Sequence, residues 1–275
     1  MTIPLEDNVS DIVGKAQRGL QISDSQLAEK SGATTEQIRA VRDGKFDRDS
    51  LTRIAPVLQL NAQALLGLAA GEWKPKEIES MKGLAHFNTT FHDMTVNAYL
   101  VWDPESKDAA AVDTGADCSD MLKRIEAEGL KVRFILLTHA HPDHIADLDR
   151  LRKKTGAPIF ISERESADQA ESFSEGKHFR LGNLDIETRL TWGHSPGGTT
   201  FVVTGLAHPV AIVGDSIFAG SMGGGNVSYH DAVKNNLEQI LTWPNDTIIC
   251  PGHGPMTTVG EEKKHNPFFA GRTNL

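Results

Sequence analysis

The stretch Thr138-His139-Ala140-His141-Pro142-Asp143-His144 brings three imidazoles and one carboxylate into seven residues. It comes directly after the apolar residues 132–137, whose composition is typical of a buried β-strand. Side chains on an extended chain repeat every two residues, so His139 and His141 are expected to point to the same side and reach one ion. An apolar strand that ends in such a cluster predicts a catalytic metal site.

The second half of this stretch predicts a second ion. If the chain turns at Pro142 into a helix over residues 145–154, Asp143 and His144 point away from the first pair and can bind another cation. Neutral imidazole and carboxylate ligands suit zinc, iron or manganese, and they leave room for an exchangeable water.

Three downstream segments each place one histidine or aspartate among glycines after an apolar or β-prone stretch. Glycine allows positive φ and tight turns, so a ligand can be presented where a bulkier residue would crowd the site. The segments are residues 191–198 around His194, 211–216 around Asp215 and 248–255 around His253.

With four such segments in this order, the chain from about Gly83 to its end resembles the metallo-β-lactamase fold superfamily. Within it, the chain resembles the glyoxalase II type of thioester hydrolase and the related persulfide dioxygenases. The resemblance implies an α+β fold, the αββα sandwich, with two divalent metal ions at one edge where the strand-end loops converge. Zinc is the first expectation, with iron or manganese as alternatives.

The resemblance also implies a role for each candidate ligand. It assigns seven side chains to two ions: His139, His141 and His194 to the first, Asp143, His144 and His253 to the second, and Asp215 as the bridge. Asp143 would be both a ligand and a proton carrier, which makes it the candidate catalytic residue.

Two other positions match the family pattern. Asp113, in Ala111-Val112-Asp113-Thr114-Gly115, is expected to orient a ligating imidazole through its far N–H. Asp215 stands where β-lactamases of the commonest subclass carry cysteine, which argues against antibiotic hydrolysis as the native role. Residues 261–269 resemble the Asn-Pro-Phe segment of glyoxalase II relatives.

The N-terminal part has a different hydrophobic pattern, because apolar residues recur at helical spacing over residues 9–68. Residues 24–45 resemble the helix-turn-helix of phage-repressor-like DNA-binding domains, and the resemblance implies that a helix starting near Thr34 reads the major groove. Arg39, Arg42 and Lys45 are the candidate DNA contacts. The first 70 residues hold eight basic and nine acidic side chains, so DNA binding and a helical bundle for dimerisation or packing both remain open.

These patterns divide the chain into three parts. Residues 1–72 form the small all-α helix-turn-helix-like domain, residues 73–82 the polar linker, and residues 83–275 the catalytic domain. In the last part, strands alternate with helices in both halves, which predicts two sheets packed between helical layers.

Composition limits the remaining choices. The 275 residues are 39% hydrophobic and 24% charged, with a net charge of −9 that disfavours polyanionic substrates. No apolar run approaches the roughly 18 residues that span a bilayer, and the first residues lack a secretion signal, so a cytoplasmic protein without membrane contact is expected. Cys118 and Cys250 are expected to be reduced and buried.

Three functions remain open from the sequence. The first is a dinuclear hydrolase acting on a small thioester, ester or lactone; residues 217–228 hold no lysine or arginine, so glutathione recognition is not supported. The second is a persulfide dioxygenase with one non-haem iron. The third is a DNA-binding regulator whose metal domain senses a ligand, and a homodimer would double its contacts with DNA. A nuclease is disfavoured, because the interval between Asp215 and His253 is too short for an inserted RNA-processing domain.

Overall fold

The computed structural model describes residues 3–45 and 47–272. Short helices fill its N-terminal part, and three of them begin at a side-chain capping box, at Asn8, Ser23 and Thr34. Gly32 ends the second helix in the left-handed region, with φ of 71°. The helices are α1 (Val9–Gly19), α2 (Asp24–Ser31), α3 (Thr35–Arg42), α4 (Arg48–Val57) and α5 (Ala62–Ala69). The expected run of short helices is therefore confirmed.

Two six-stranded sheets follow, in agreement with the expected mixed α and β architecture. The first has the order β1 (Leu84–Phe91), β2 (Met94–Trp102), β3 (Asp108–Val112), β4 (Lys131–Leu136), β5 (Ile159–Ser162) and β6 (Ala170–Phe173). The second comprises β7 (His178–Leu181), β8 (Leu184–Leu190), β9 (Thr199–Thr204), β10 (Val210–Gly214), β13 (Ile248–Pro251) and β14 (Thr257–Thr258). Between β10 and β13 the chain forms a hairpin of β11 (Ile217–Phe218) and β12 (Ser221–Met222).

Helices cover the outer faces of both sheets. They are α6 (Ser119–Glu128), α7 (Leu148–Thr155), α8 (Tyr229–Asn235), which continues as a π-helix over Asn236–Ile240, and α9 (Val259–His265). The side chains of β3 alternate between the two faces of the first sheet and show how the layers pack. Ala110 and Val112 face the second sheet, whereas Ala109 and Ala111 pack towards α6 and α7. Helix, sheet, sheet and helix thus form four layers.

Two details of the local predictions are wrong. Helix α7 begins at Leu148 and not at residue 145, because residues 142–144 form a turn and Asp147 lies at the helix cap. Strand β4 ends at Leu136, so His139 and His141 lie in the loop beyond it and not on an extended strand. The shared direction of these two imidazoles therefore comes from the loop.

The N-terminal helices share one hydrophobic core with the outer face of the second sheet. Buried Ile12, Leu51 and Leu65 belong to the same cluster as Val213 and Phe268. Asn61 also donates its backbone N–H to the carbonyl of Pro267 over 2.7 Å, which ties the start of α5 to the C-terminal segment. We call α1–α5 the helical module.

The segment between the helical module and β1 begins with a packed side chain, that of Trp73. Trp73 stacks on His265 with ring centroids 5.2 Å apart, and its indole N–H donates to Glu261 over 2.9 Å. The domain boundaries at residues 72 and 83 remain a prediction. Across the described ranges 3–45 and 47–272, no helix combines the length and apolar character needed to cross a membrane.

Candidate metal centre

The ends of several strands meet at one edge of the two sheets. Strands β3 and β4 are parallel neighbours in the first sheet, as β10 and β13 are in the second. Their carboxyl ends therefore open on the same edge, and the segments that follow them carry the predicted side chains. Asp113, His139, Asp215 and His253 come from the segments after these four strands, and His194 from the segment after β8.

The first group comprises His139, His141, His194 and Asp215, each offering a ligand atom within 4.8 Å of the others. His194 Nε2 lies 3.0 Å from His141 Nδ1 and 3.3 Å from Asp215 Oδ2. His139 is buried, while His141 and His194 are partly exposed. A cation at this position would therefore have protein ligands on one side and access from solvent on the other.

The second group comprises Asp143, His144 and His253, and all three are buried. His253 Nε2 lies 3.3 Å from Asp143 Oδ2, and His144 Nε2 lies 3.4 Å from the same oxygen. The turn at Pro142 places this group directly beside the first one, since the rings of His139 and His144 lie 4.2 Å apart between centroids.

Asp215 faces both groups. Its Oδ1 lies 3.2 Å from His144 Nε2, and its Oδ2 lies 3.4 Å from His253 Nε2 and 3.3 Å from His194 Nε2. The structure therefore brings together all seven side chains that the sequence singled out, with one carboxylate between two sets of ligands.

The hydrogen bonding of these atoms indicates what they are suited to hold. Within the described part of the chain, His139 Nε2, His144 Nε2 and Asp215 Oδ1 are buried and have no hydrogen-bond partner. A buried polar atom without a partner costs roughly 1–3 kcal/mol, so an arrangement of three in one place calls for another occupant. Their donor set of imidazole nitrogen and carboxylate oxygen fits a divalent transition metal.

Asp113 holds the metal-site loop in place. Its carboxylate accepts from His144 Nδ1 over 2.8 Å, from the Thr138 backbone N–H over 2.8 Å and from the Thr138 hydroxyl over 2.7 Å. The bond to Nδ1 leaves Nε2 of His144 free to bind a cation, which is the arrangement expected if Asp113 orients this imidazole. Asp113 has a φ of 57°, a conformation that is costly for a residue with a Cβ.

The electrostatics of the site favour positive charge between the carboxylates. Burial alone would lower the pKa of His144, but Asp215 and Asp113 raise it to about 10. Burial would likewise lower the pKa of His253, which Asp215 and Asp143 raise to about 11. Burial would raise the pKa of Asp215, yet His144 and His253 hold it well below its usual range. The carboxylates thus stabilise a cation here, be it a proton or a metal.

His139 differs from these two imidazoles. Burial and the neighbouring His144 lower its pKa well below the usual range, so it is neutral at physiological pH. A neutral imidazole is the form that binds a metal.

Two positioning residues escaped the sequence analysis. The side-chain amide of Asn97, buried on β2, donates to the carbonyls of Pro251 and Gly254 over 2.9 and 2.8 Å. The backbone carbonyl of Thr95 accepts from His253 Nδ1 over 2.6 Å. Both contacts join residues more than 150 positions apart, so no local motif signals them.

The glycines around the site are required by close packing. A Cβ on Gly252 would lie 2.2 Å from Asp215 Oδ1, and one on Gly223 would lie 1.8 Å from the Asp215 carbonyl. The glycine run 223–225 packs against the metal centre, and the Gly224 carbonyl lies 3.0 Å from His194 Nδ1.

The candidate DNA contacts lie on the helical module. Arg42 forms an ion pair with Asp24 over 2.7 Å, and Arg39 lies 3.9 Å from the same carboxylate. Lys45 is exposed after the end of α3. Two of the three cations are therefore already partly neutralised by α2.

Comparison with known proteins places this geometry in context. The sequence profile of the Metallo-beta-lactamase superfamily matches residues 93–253, a range that contains all seven candidate ligands and lies after the helical module. The hydroxyacylglutathione hydrolase GloC of Haemophilus influenzae is 30% identical over 198 residues, which are 63% of this chain and 92% of GloC.

Two solved structures have similar folds and 28% sequence identity. The B3 metallo-beta-lactamase BLEG-1 aligns with a TM-score of 0.58 over 68% of this chain and 100% of its own. TTHA1623, solved in a di-iron-bound form, aligns with a TM-score of 0.54 over 66% of this chain and 100% of its own.

Proposed function

The chain belongs to the metallo-β-lactamase superfamily, and from this premise we propose that it is a hydrolase with two divalent metal ions that cleaves a small thioester, ester or lactone. The observation that carries the proposal is the position of Asp215, whose two oxygens face histidines of both groups. The likeness to GloC supports hydrolysis of an acyl bond, and the di-iron form of TTHA1623 supports a dinuclear site.

We assign the ligands as the geometry groups them. His139, His141 and His194 would hold one ion, Asp143, His144 and His253 the other, and Asp215 both. A bound divalent ion supplies a water ligand with a pKa of roughly 7 and an electrophile for the carbonyl oxygen of the substrate. Zinc fits this donor set, and iron or manganese fits it as well.

The protein's own residues would provide orientation and a place for the proton. Asp143 lies at the edge of the second group, and its carboxylate is 3.3 Å from His253 Nε2. Burial would raise the pKa of Asp143, but contacts with His253 and His144 lower it, so Asp143 is ionised at neutral pH. The ionised carboxylate could accept a proton during attack on the acyl carbon, as a weak base that passes the proton on, because its pKa is lowered. A thiolate leaving group needs little protonation, so the thioester requires no separate general acid.

The substrate is expected to be smaller or less anionic than glutathione conjugates. Residues 217–228, which follow Asp215, contain no lysine or arginine, and the hairpin β11–β12 within them is buried. GloC is named for hydrolysis of hydroxyacylglutathione, an activity that we do not propose for this chain.

The proposal is tested with the full chain loaded separately with zinc, iron and manganese. Release of free thiol from small neutral thioesters is measured, beside hydrolysis of a β-lactam and of a lactone. We expect metal-dependent thioester or lactone hydrolysis that a chelator abolishes and added metal restores. The ligand variant His141→Ala should be inactive, and its matched control is His208→Ala, which removes an exposed imidazole paired with Asp246 and should keep activity. Activity in metal-free protein, or equal activity in the two variants, would contradict the proposal.

A second candidate is the mononuclear iron persulfide dioxygenase. It is favoured by the completeness of the first group, because His139, His141, His194 and Asp215 could hold a single iron without the second group. Metal analysis with an oxygen electrode separates the two candidates. One iron per chain with O₂ uptake on glutathione persulfide would replace the hydrolase.

DNA binding through Arg39, Arg42 and Lys45 is a third candidate, in which the metal domain acts as a sensor. The Gly32 turn between α2 and α3 favours it, whereas the pairing of Arg42 and Arg39 with Asp24 weakens it. A gel-shift assay with random and upstream DNA at several salt concentrations tests it. Absence of binding at low salt would exclude the regulator.

A further inference from the structure

The residues before α1 are anchored beside the metal centre. We call residues 4–7 the strap. Asp7 Oδ2 accepts from the Ser221 hydroxyl and from Lys15 Nζ, both over 2.5 Å. Lys15 also donates to the carbonyl of Met222 over 2.9 Å. The strap is therefore fixed on β12, the strand that comes shortly after the bridging carboxylate of Asp215.

Glu6 lies where the strap meets the turn that carries His253. A Cβ built on Gly254 would be 3.1 Å from the Glu6 backbone nitrogen and 3.4 Å from the Glu6 Cβ. Glu6 is half-buried, and within the described ranges its carboxylate has neither a hydrogen bond nor an ion pair. It is thus an uncommitted negative charge next to a candidate metal ligand.

The charge of Glu6 is felt at the metal centre. Burial raises the pKa of this carboxyl, the positive charge of His253 lowers it, and the negative charges of Asp7 and Asp215 raise it. Glu6 is therefore electrostatically coupled to the metal centre and not only to its neighbours in sequence.

A cavity of about 390 Å³ is lined by residues 5–9 with Leu68 and Ala69, so the strap forms one of its walls. Its walls combine apolar side chains with the carboxylates of Glu6 and Asp7. Because Lys15 pairs with Asp7, the charge left at this wall is negative. Such a wall suits a small group that is both apolar and cationic, such as an alkylammonium.

We infer that Glu6 is a specificity-determining residue, whose carboxylate favours substrates with a cationic group close to the scissile acyl bond and disfavours anionic ones. This inference rests on the proposed hydrolase function. It also gives the helical module a part in the reaction, because the strap leads into α1 and lies outside the residues that match the superfamily profile.

The test compares two thioesters of similar size and opposite charge, acetylthiocholine and S-acetyl-3-mercaptopropionate. The measured quantity is the ratio of their kcat/KM values in wild type, Glu6→Gln and Glu6→Lys. One unit charge acting over several ångströms at a partly solvated site changes such a ratio by about fivefold. We expect Glu6→Gln to shift the ratio by about that factor towards the anion, and Glu6→Lys to shift it further. Glu128→Gln, on the opposite helical layer, is the matched control for net charge.

A second measurement needs no turnover. Binding of 2-aminoethanethiol and of mercaptoacetate to the cobalt-loaded protein is followed by the absorption of the cobalt–thiolate chromophore. Glu6→Gln is expected to weaken binding of the aminothiol relative to the acid by the same factor. If wild type hydrolyses neither thioester while this binding ratio shifts, the hydrolase proposal fails and Glu6 keeps its role in charge selection. If both ratios are unchanged in Glu6→Gln and Glu6→Lys, the inference about Glu6 is overturned.

Discussion

The carboxylate of Asp215 lies between two sets of imidazoles. The backbone at position 252 passes so close to this carboxylate that only glycine fits there. The Oδ1 atom has no hydrogen-bond partner among the described residues, and a Cβ on Gly252 would lie 2.2 Å from it. Close backbone approach therefore shapes the site as much as the ligands do. Two predictions concern single residues of this site.

The first concerns His141, a partly exposed member of the first group. His141→Ala removes one ligand from the loop after β4 without opening the buried core. Turnover should fall by more than about 100-fold, since even residues that only orient metal ligands are worth about 10–100-fold. Thiol release and circular dichroism measure activity and fold together. Retained activity in a correctly folded variant would count against His141 as a ligand.

The second concerns Asp113, which accepts from His144 Nδ1. Asp113→Asn keeps a residue type that tolerates the φ of 57°, but its amide nitrogen cannot accept from Nδ1. Metal affinity should fall by about 10–100-fold, measured by competition with a chromophoric chelator. Asp120→Asn, an exposed change on α6, provides the control. Equal affinity in the two variants would show that Asp113 does not orient the ligand.

At the scale of elements, α9 and the residues after it hold the hairpin that follows Asp215. Asn266 donates its side-chain amide to the carbonyl of Ser221 over 2.7 Å and to Glu262 over 2.8 Å. Glu262 also accepts from the Gly220 N–H and the Thr257 hydroxyl. The Asn-Pro-Phe segment noted in the sequence thus anchors this hairpin beside the metal site. We call the contacts of Glu262 and Asn266 the clasp.

This clasp should make stability depend on pH. Burial raises the pKa of Glu262 to about 7 from its ordinary 4.5, so the folded state holds an extra proton between these values. The free energy of unfolding should therefore fall as pH rises through this window, by about 3 kcal/mol. Glu262→Gln cannot titrate and should lose this component. Urea unfolding at pH 4 to 8 measures the difference, with Glu126→Gln as an exposed control. Parallel pH profiles for wild type and Glu262→Gln would refute the assignment.

The elements also show what the sequence could and could not predict. The segments that carry ligands were predicted because their chemistry is local: an apolar strand, a turn, and a histidine or aspartate within a few residues. The alternation of strands and helices after residue 83 follows from hydrophobic pattern in the same way. Strands β6 and β7 give little such pattern, because they are four residues long and half-exposed. The contacts of Asn97 and Thr95 with the His253 turn depend on packing between sheets, which no local window contains.

At the scale of the whole molecule, the helical module and the second sheet share one buried core. Ile12 and Leu65 lie in the same cluster as Val213 and Phe268, and Lys15 bonds to the hairpin beside the metal centre. The linker expected from the sequence therefore joins parts that are packed together.

A shared core predicts cooperative unfolding. The metal-loaded chain should unfold in a single thermal transition, and probes in the two parts should report the same midpoint. Amide hydrogen exchange in α1–α5 and Trp102 fluorescence in a single-tryptophan variant provide such probes. Chelation of the metal should lower the midpoint of both together, because metal binding stabilises only the folded state. Two separate transitions, with the helical module insensitive to metal, would contradict a common unit.

Two cations are expected in the protein, one on either side of Asp215. Anomalous diffraction from crystals of the metal-loaded full chain, collected at the absorption edge of the metal, tests it most directly. The account predicts two peaks about 3.5–4 Å apart, one beside His139, His141 and His194 and the other beside Asp143, His144 and His253. A single peak would contradict the dinuclear site. The absence of any peak in crystals grown with saturating metal would contradict the metal centre itself.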